Sequence, residues 1–564
     1  MGIRPGPHPA PRPLASLGWA LAGGLALSLS FPPVGFYPLA WVALVPILAR
    51  WADRRASLAL AREIYAVFLV AAAATGFWAL HLPNTFQAAL AGLGLLLVPV
   101  PMTLAFLAAA WVRQRYGLYI GLAALFVDVL IAEYLSLLLP LSTPWMLLGH
   151  TQALALPFTH TVEIGGVLLL TAWVLALNAS LFFALESRRR GQKRTWADRG
   201  IAVASFAALL VVSAVYGTVR SGADTPPGHV SVGIAQPLLT VAEWEDPQDA
   251  GRVAQLASVS DELLAAWATQ EAAGAGLKDT ASRARYRGPV ARPDLLIWPR
   301  SALPVYGDLE REQELYTRLA TWSERRRTPL LTGAFTAGAN APDRTTESAR
   351  YYPIPRSASR QSALMFHPAR EGVVRYDQSR RVPVLEAVPS ALARGVGDAV
   401  PAFEVGGPRR LLPAGRTHLA ASVGYESVYG DHIRRFVSEG AGMLVALAPA
   451  SGGFAGRRQH LAIMRLRALE TGRAVVVAAA GESSLVLPNG RAVDLVSTSV
   501  PEGVRVDVPV HTRKTLYVRF GDWLGQLALV AGLLGHLGLW YMYRMRPRKK
   551  PRRVEPLVTM TVPV

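Results

Sequence analysis

The 564-residue chain contains no cysteine. Disulfides, thiolate metal sites, iron–sulfur clusters and cysteine nucleophiles are therefore excluded. Charge is scarce as well. Only 17% of residues are Asp, Glu, Lys or Arg, 51% are hydrophobic, and the mean hydropathy is +0.27. That balance excludes a disordered chain and a wholly soluble one. Acids are the scarcer sign, 39 against 58 basic residues, so the formal charge is +19. Such a charge fits a nucleic-acid partner or a membrane until the positions of the basic residues are considered. No H-E-x-x-H or comparable ligand spacing occurs, so no metal is expected, and no G-x-x-x-x-G-K-[ST] loop supports nucleotide-driven transport. No cofactor is expected. No repeat of solenoid or propeller period is present.

What the chain does have is long apolar runs, gathered at its two ends. They lie near 13–31, 36–50, 61–82, 86–111, 117–139, 160–185, 200–217 and 522–543. A spanning helix needs about 20 mostly apolar residues, so the runs predict an integral membrane α-helical bundle of about eight transmembrane helices, the second and seventh being short. Leu29-Ser30-Phe31-Pro32-Pro33 offers no small-x-small cleavage site, so the first run reads as a retained helix. The expected division is 1–217 as a bundle of about seven helices, 218–513 as a soluble α/β domain, and 514–564 as a closing helix with a basic tail.

Charge then sets an expected orientation. With the N-terminus in the cytoplasm and eight alternating helices, the cytoplasmic segments carry 21 basic residues, including Arg50, Arg54, Arg55, Arg113, Arg115, Arg188 to Arg190 and the run after Tyr543. Asp53, Glu63, Glu186, Asp198 and Glu555 are the acids there. Nearly all of the excess charge follows the positive-inside rule. The reading is a bacterial cytoplasmic-membrane protein with both termini cytoplasmic and the large domain extracytoplasmic. The basic tail then anchors topology against anionic lipid, and no nucleic-acid partner is expected.

Within 218–513 short apolar stretches alternate with helical ones. Strands are predicted at His229–Gln236, Asp294–Trp298, Pro329–Gly333, Ser362–His367, Ala420–Val423, Met443–Leu447, Ala474–Ala479 and Ser484–Leu487. Helices are predicted at Asp246–Ala273, Asp308–Arg325, Asp431–Glu439 and Gln459–Thr471. Such interleaving predicts layered α/β structure. Ser221 to Gly228 reads as a linker, and Thr336–Arg350 and Ser390–Arg410 as long loops.

These segments carry a resemblance. Asp294 to Pro304 (DLLIWPRSALP) is similar to the "DLIVWPETALP" segment of apolipoprotein N-acyltransferases, membrane members of the carbon–nitrogen hydrolase (nitrilase) superfamily. Arg375-Tyr376-Asp377-Gln378 with Val382-Pro383 and Glu386-Ala387-Val388-Pro389, Gly424-Tyr425-Glu426-Ser427, and Gln459-His460-Leu461 through Arg473 resemble three further family segments. In the membrane part, Phe31 to Gly35, Pro144-Trp145 with Gly149, His150 and Gln152, and Asn178 also match. The resemblance covers nearly the whole chain and implies a nitrilase-like αββα sandwich for the soluble domain. It implies membrane phospholipid and a bacterial lipoprotein with a diacylglyceryl-cysteine N-terminus as partners, and a monomer is expected.

The family moves an acyl chain from phospholipid to that N-terminal amine. Its chemistry uses a thiolate nucleophile, a glutamate that shuttles protons and a lysine that stabilises the oxyanion. At the matching positions this chain has Gly424, Arg300 and Gln378. Glycine offers no nucleophile, a permanently cationic arginine is no base, and glutamine carries no charge. Glu386, Tyr425 and Glu426 keep family positions at the edge of the site. Ser422, two residues before Gly424, and Ser427 are possible substitute hydroxyl nucleophiles, and His460 and Arg467 are expected to brace the fold. Glu133 and Asp128 lie in a membrane helix, where a carboxyl group must be paired or neutral. The sequence therefore predicts a family member that binds lipid or lipoprotein as a pseudoenzyme. The alternatives are an active N-acyltransferase with a non-standard site, and a multi-span transporter or scaffold.

Overall fold

The computed structural model describes residues 13–81, 85–139, 144–189, 196–222, 225–237, 251–273, 292–304, 308–339, 341, 359–382, 386, 404–448, 453–479, 482–496 and 502–545. The basic tail after Met545, most of the Thr336–Arg350 loop and residues 390–403 of the expected Ser390–Arg410 loop lie outside them.

The N-terminal part is helical: α1 (Pro13–Ser30), α2 (Val45–Asp53), α3 (Leu58–Gly76), α4 (Thr85–Leu97), α5 (Pro99–Tyr116), α6 (Leu118–Leu138), α7 (Val162–Gly165), α8 (Val167–Arg189) and α9 (Trp196–Gly222). Among the described residues six stretches are long and apolar enough to cross a membrane. They are Leu58–His81, Ala88–Tyr116, Leu118–Leu138, Val167–Leu185, Gly200–Gly222 and Trp523–Met545. The apolar part of α1, Gly18–Ser30, is shorter. Helix α9 runs on to Gly222, beyond the expected boundary at 217 and into the expected linker.

The run at 36–50 is not one spanning helix. It forms a 3-10 turn at Tyr37–Trp41 followed by the nine-residue α2. Pro38 and Pro46 each lack an N–H, which interrupts the helical ladder. The polar groups freed at the break are met by a side chain: Leu44 N–H donates to Asn178 Oδ1 at 2.9 Å, and Asn178 Nδ2 donates to the Ala40 carbonyl at 2.7 Å. Irregular backbone is tolerated at membrane depth where it is buried in protein and satisfied in this way, and Ala40, Leu48 and Trp51 are buried. The broken segment still returns along α1, since the Arg50 guanidinium lies 5.7 Å over the Trp19 ring near the start of that helix.

Basic side chains collect at this end of the bundle. Glu63 pairs with Arg50 at 3.1 Å and Arg54 at 3.3 Å, and Arg113 donates to the Ala52 carbonyl at 2.7 Å. The other end of the bundle meets the soluble domain. Trp78, in the turn after α3, donates to Gln459 at 2.9 Å. Glu163 of α7 accepts from Tyr216 and Arg220 of α9 and from Arg513, each at 2.7 Å.

The soluble domain contains two six-stranded sheets. The first has the order β12-β1-β2-β3-β4-β5, with β1 (Gly228–Gln236), β2 (Leu295–Ile297), β3 (Leu330–Ala337), β4 (Ser359–Phe366), β5 (Val373–Asp377) and β12 (Glu502–Val510). The second has the order β11-β10-β9-β8-β7-β6, with β6 (Leu412–Ala414), β7 (Thr417–Val423), β8 (Met443–Leu447), β9 (Val475–Ala478), β10 (Ser483–Val486) and β11 (Ala492–Val496). Strands β1 to β3 and β7 to β9 pair in parallel. They are buried throughout apart from the start of β1, the C-terminal end of β3 and the start of β7, which explains their unbroken apolar sequences. The sheets face each other across one core containing Val232, Ile297 and Met365 on one side and Ala421, Val445 and Val476 on the other. Outside the first sheet lie α10 (Gly251–Ala273) and α11 (Leu309–Arg326), packed through Trp267, Leu315 and Leu319. The second sheet carries α12 (Gly430–Ser438) and α13 (Gly453–Thr471). The layers are those of an αββα sandwich. The short α14 (Leu516–Phe520) leads into α15 (Trp523–Met545), which returns to the bundle.

All eight strands predicted from the sequence are present. Four more, β5, β6, β11 and β12, are not among those predicted, and all four lie at sheet edges. β12 reads EGVRVDVPV, whose alternation of valine with polar residues or proline is itself a strand signal, whereas β5 (VVRYD) and β6 (LPA) are too short to carry one.

Candidate functional site

Arg300, Gln378 and Gly424 each follow the C-terminal end of a strand, β2, β5 and β7 respectively. The carboxyl ends of strands are where open α/β sheets present ligand-binding loops. A Cβ built on Gly424 would lie 3.3 Å from Arg300 Nη1 and 3.4 Å from its Cζ, so Arg300 fills the volume beside the missing side chain. Gly424 has φ +62°, a left-handed conformation that costs glycine little and other residues more.

Glu386 sits between the other two positions. Its Oε1 accepts from Gln361 at 3.0 Å and lies 3.9 Å from Arg300 Nη2. Its Oε2 accepts from Gln378 Nε2 at 3.2 Å and from Val382 N–H at 2.8 Å. Arg300 also donates to Gln361. The three positions drawn from separate segments therefore form one cluster around a carboxylate, with a guanidinium where the resemblance expects a carboxylate.

Glu426 joins two of the strand ends. Its Oε1 accepts from Tyr376 Oη at 2.8 Å, Ser379 N–H at 2.7 Å and Arg380 N–H at 3.2 Å, and its Oε2 from Val423 N–H at 2.9 Å. It thus holds the exit of β5, with Gln378, against the exit of β7, with Gly424. Burial raises its carboxyl to about 7, against the pull of those hydrogen bonds. His432 Nε2 lies 3.5 Å from Glu426 Oε1, and burial, followed by the field of Arg380, lowers this histidine to about 3.

The two serines behave differently. Ser422 is buried in β7, and its Oγ faces the Val445 carbonyl of the neighbouring strand at 3.4 Å. Ser427 Oγ lies 2.8 Å from His460 Nε2 and 3.2 Å from the Gly424 carbonyl. Burial lowers His460 to about 4, leaving it neutral at pH 7. The two are 33 positions apart in sequence, so nothing local signals the pair. Arg467 bonds Glu470 at 3.0 Å and the Val428 carbonyl at 3.3 Å, fixing α13 beneath the turn that follows Gly424.

An apolar cavity of about 360 Å³ leads from the bundle to this cluster. Its walls come from α3, α4, α5 and α6, including Phe68, Leu95 and Met102, and Trp145, Val382 and Tyr425 line it where it meets the soluble domain. Trp145 stacks on Tyr425 at 5.7 Å and meets the Trp78 ring at 5.4 Å with the two planes tilted by 54°. Tyr425 Oη and Gln378 Oε1 are buried with no hydrogen-bond partner among the described residues. Glu133, also on the cavity wall, is paired: Oε1 accepts from Leu148 N–H at 2.6 Å and Oε2 from Thr171 Oγ1. Asp128 bonds His536 of α15 at 2.8 Å. Neither Glu133 partner nor His536 could be picked out from local sequence.

Residues 23–180 match the family model described as the apolipoprotein N-acyltransferase N-terminal domain. Proteins named apolipoprotein N-acyltransferase are similar along most of their length. One from Geobacter metallireducens is 24% identical, covering 89% of this chain and 91% of its own. One from Gloeobacter violaceus is 28% identical, covering 93% and 94%. One from Chlorobaculum tepidum is 24% identical, covering 93% and 96%. Among solved structures, an amidase of the nitrilase superfamily from Nesterenkonia is 17% identical over 52% of this chain and 96% of its own, with a TM-score of 0.34.

Proposed function

The chain belongs to the apolipoprotein N-acyltransferase family of bacterial membrane proteins, and from that premise we propose that it binds phospholipid acyl chains and diacylated lipoprotein N-termini without cysteine-dependent acyl transfer. The observation that carries this reading is the cluster of Arg300, Gln378 and Gly424 around Glu386. A covalent route needs a nucleophile, a base and an oxyanion donor within reach of one carbonyl carbon. Here the nucleophile position has no side chain, and a cation stands where a base is needed. The cavity ending at Tyr425 supports retained binding, as does the Tyr425 hydroxyl on its wall, which is buried without a hydrogen-bond partner among the described residues. The positive-inside pattern supports a placement in which the soluble domain and its site lie outside the cytoplasm.

A second reading has one observation in its favour, the 2.8 Å contact of Ser427 with His460. In that reading Ser427 Oγ attacks the ester carbonyl as His460 Nε2 takes its proton, the ester C–O bond breaks and the lysophospholipid leaves with that proton, and the lipoprotein amine then displaces Ser427 from the acyl group, a proton returning to the serine oxygen through His460. Both are decided by incubating the purified protein with phospholipid and a diacylated lipopeptide and following N-acylation by mass spectrometry. The first reading expects binding without product, and product only after Arg300→Glu, Gln378→Lys and Gly424→Cys are combined. Robust turnover by the unaltered protein overturns it, and persistence in Ser422→Ala would show that Ser422 is not the nucleophile. Loss of that turnover in Ser427→Ala would establish the second.

A further inference from the structure

The closing helix carries a second apolar recess, on the outer side of the bundle. It has a volume of about 420 Å³ and is lined by Trp111 of α5, Ile131 of α6, and Leu529, Gly532, Leu533, His536, Leu537 and Trp540 of α15. It shares no lining residue with the cavity that ends at Tyr425. Its size falls within the range of about 300–1,000 Å³ common to ligand sites.

The chemistry of this groove changes along its length. Its apolar wall includes Leu533 and Leu537, both more than half exposed. Its floor carries the His536–Asp128 bond, which ties α15 to α6, and Asp128 Oδ2 is buried there without a partner among the described residues. Its upper rim is aromatic and cationic. The Arg115 guanidinium lies 4.0 Å over the Trp111 ring and 5.0 Å over Tyr543, and Arg544 lies 4.6 Å over Trp540. Arg115 Nε is buried with no hydrogen-bond partner among the described residues. From His536 to Arg544 is eight helical residues, a rise of about 12 Å. An apolar trough therefore ends at two arginines and two tryptophans, at the end of the bundle where Arg50, Arg54 and Arg113 also collect.

We infer that this groove is a binding site for one anionic diacyl phospholipid of the leaflet at the basic end of the bundle. The acyl chain lies along Leu533 and Leu537, the indole rings occupy the interfacial level, and the phosphate sits against Arg115 and Arg544. Tryptophan is favoured at this depth, and arginine meets phosphate through paired N–H donors. A zwitterionic lipid brings its own headgroup cation against the two arginines, whereas an anionic one does not, which is the source of selectivity. The ligand holds α15 against α5 and α6, stabilising the closing helix from the side remote from the acyl-chain cavity.

The test is native mass spectrometry of the full chain in detergent, after delipidation and exposure to equal amounts of phosphatidylglycerol and phosphatidylcholine of matched chains. One tightly retained phosphatidylglycerol is expected, with a preference of about thirtyfold over phosphatidylcholine, from two arginines near the surface. The double variant Arg115→Gln, Arg544→Gln should reduce the preference to about onefold while leaving elution from gel filtration unchanged. Leu537→Trp, which fills the trough without touching the rim, should lower retention of both lipids. Equal retention of the two lipids by the unaltered protein, or an undiminished preference in the arginine variant, overturns the proposal.

Discussion

Glu426 spends its whole hydrogen-bonding capacity on the backbone and side chains of two strand ends. Its burial gives a measurable consequence. Below about pH 4.5 the carboxyl is neutral in both folded and unfolded chains, and its burial costs nothing extra. As the pH rises toward 7 the unfolded carboxyl ionises while the folded one, raised to about 7, keeps its proton. Stability from this group is therefore present below 4.5 and is lost as pH rises through 7. His432 and His460, lowered to about 3 and 4 mainly by burial, act in the opposite sense and remove stability as pH falls below 6.5. In thermal melts of the detergent-solubilised protein, Glu426→Gln should melt lower throughout, by the order of 1–3 kcal/mol for hydrogen bonds lost or reversed. The gap between unaltered protein and variant should narrow between pH 5 and pH 7. A gap constant over that range would show that the carboxyl does not titrate there.

At the scale of elements, α15 docks through glycines. A Cβ on Gly525 would lie 2.5 Å from Tyr134 Cγ and 2.8 Å from Leu168 Cδ1, so α15 meets α6 and α8 at backbone distance there. Without a hydrophobic driving force between helices in lipid, close approach at small residues is a main source of association. Gly525→Val should destabilise the docking of α15 by roughly 1–3 kcal/mol, as overpacking does elsewhere. The measurement is proteolysis in the segment between β12 and α15, around Arg513, which should accelerate in the variant. Unchanged cleavage would place the holding force elsewhere, on the Asp128–His536 bond or on Trp523, whose Nε1 donates to the Ile164 carbonyl at 3.0 Å. The second apolar run makes the complementary point. Its proline pair is plain in the sequence, but the group that satisfies the broken backbone is Asn178, 134 positions from Leu44.

For the whole molecule, the absence of cysteine is an experimental advantage, because any single introduced thiol reports its own location. Arg55 and Glu371 are both exposed, one at the basic end of the bundle and one on the soluble domain. If the soluble domain lies outside the cytoplasm, Glu371→Cys in spheroplasts should react with a membrane-impermeant maleimide, and Arg55→Cys only after lysis. The reverse pattern would invert the topology. Glu163 is where the two parts of the molecule are pinned. Burial alone would raise its carboxyl, but Arg513, Arg220 and Tyr216 together hold it below the usual range.

The sequence by itself determined the membrane bundle, the layered α/β domain and their order, because apolar run length and strand–helix alternation are local properties that bilayer thickness and sheet burial impose directly. It also determined that the site has no thiol, since composition needs no geometry. It did not reveal the short edge strands β5 and β6, which have too few residues to show a period. Only the tertiary structure decided that Arg300, Gln378 and Gly424 share one cluster, that Arg300 reaches Glu386, that Ser427 rather than Ser422 meets a histidine, and that Asp128 and Glu133 are paired. Each of these joins groups tens to hundreds of residues apart, and such distances are fixed by how sheets stack and helices pack rather than by any local pattern.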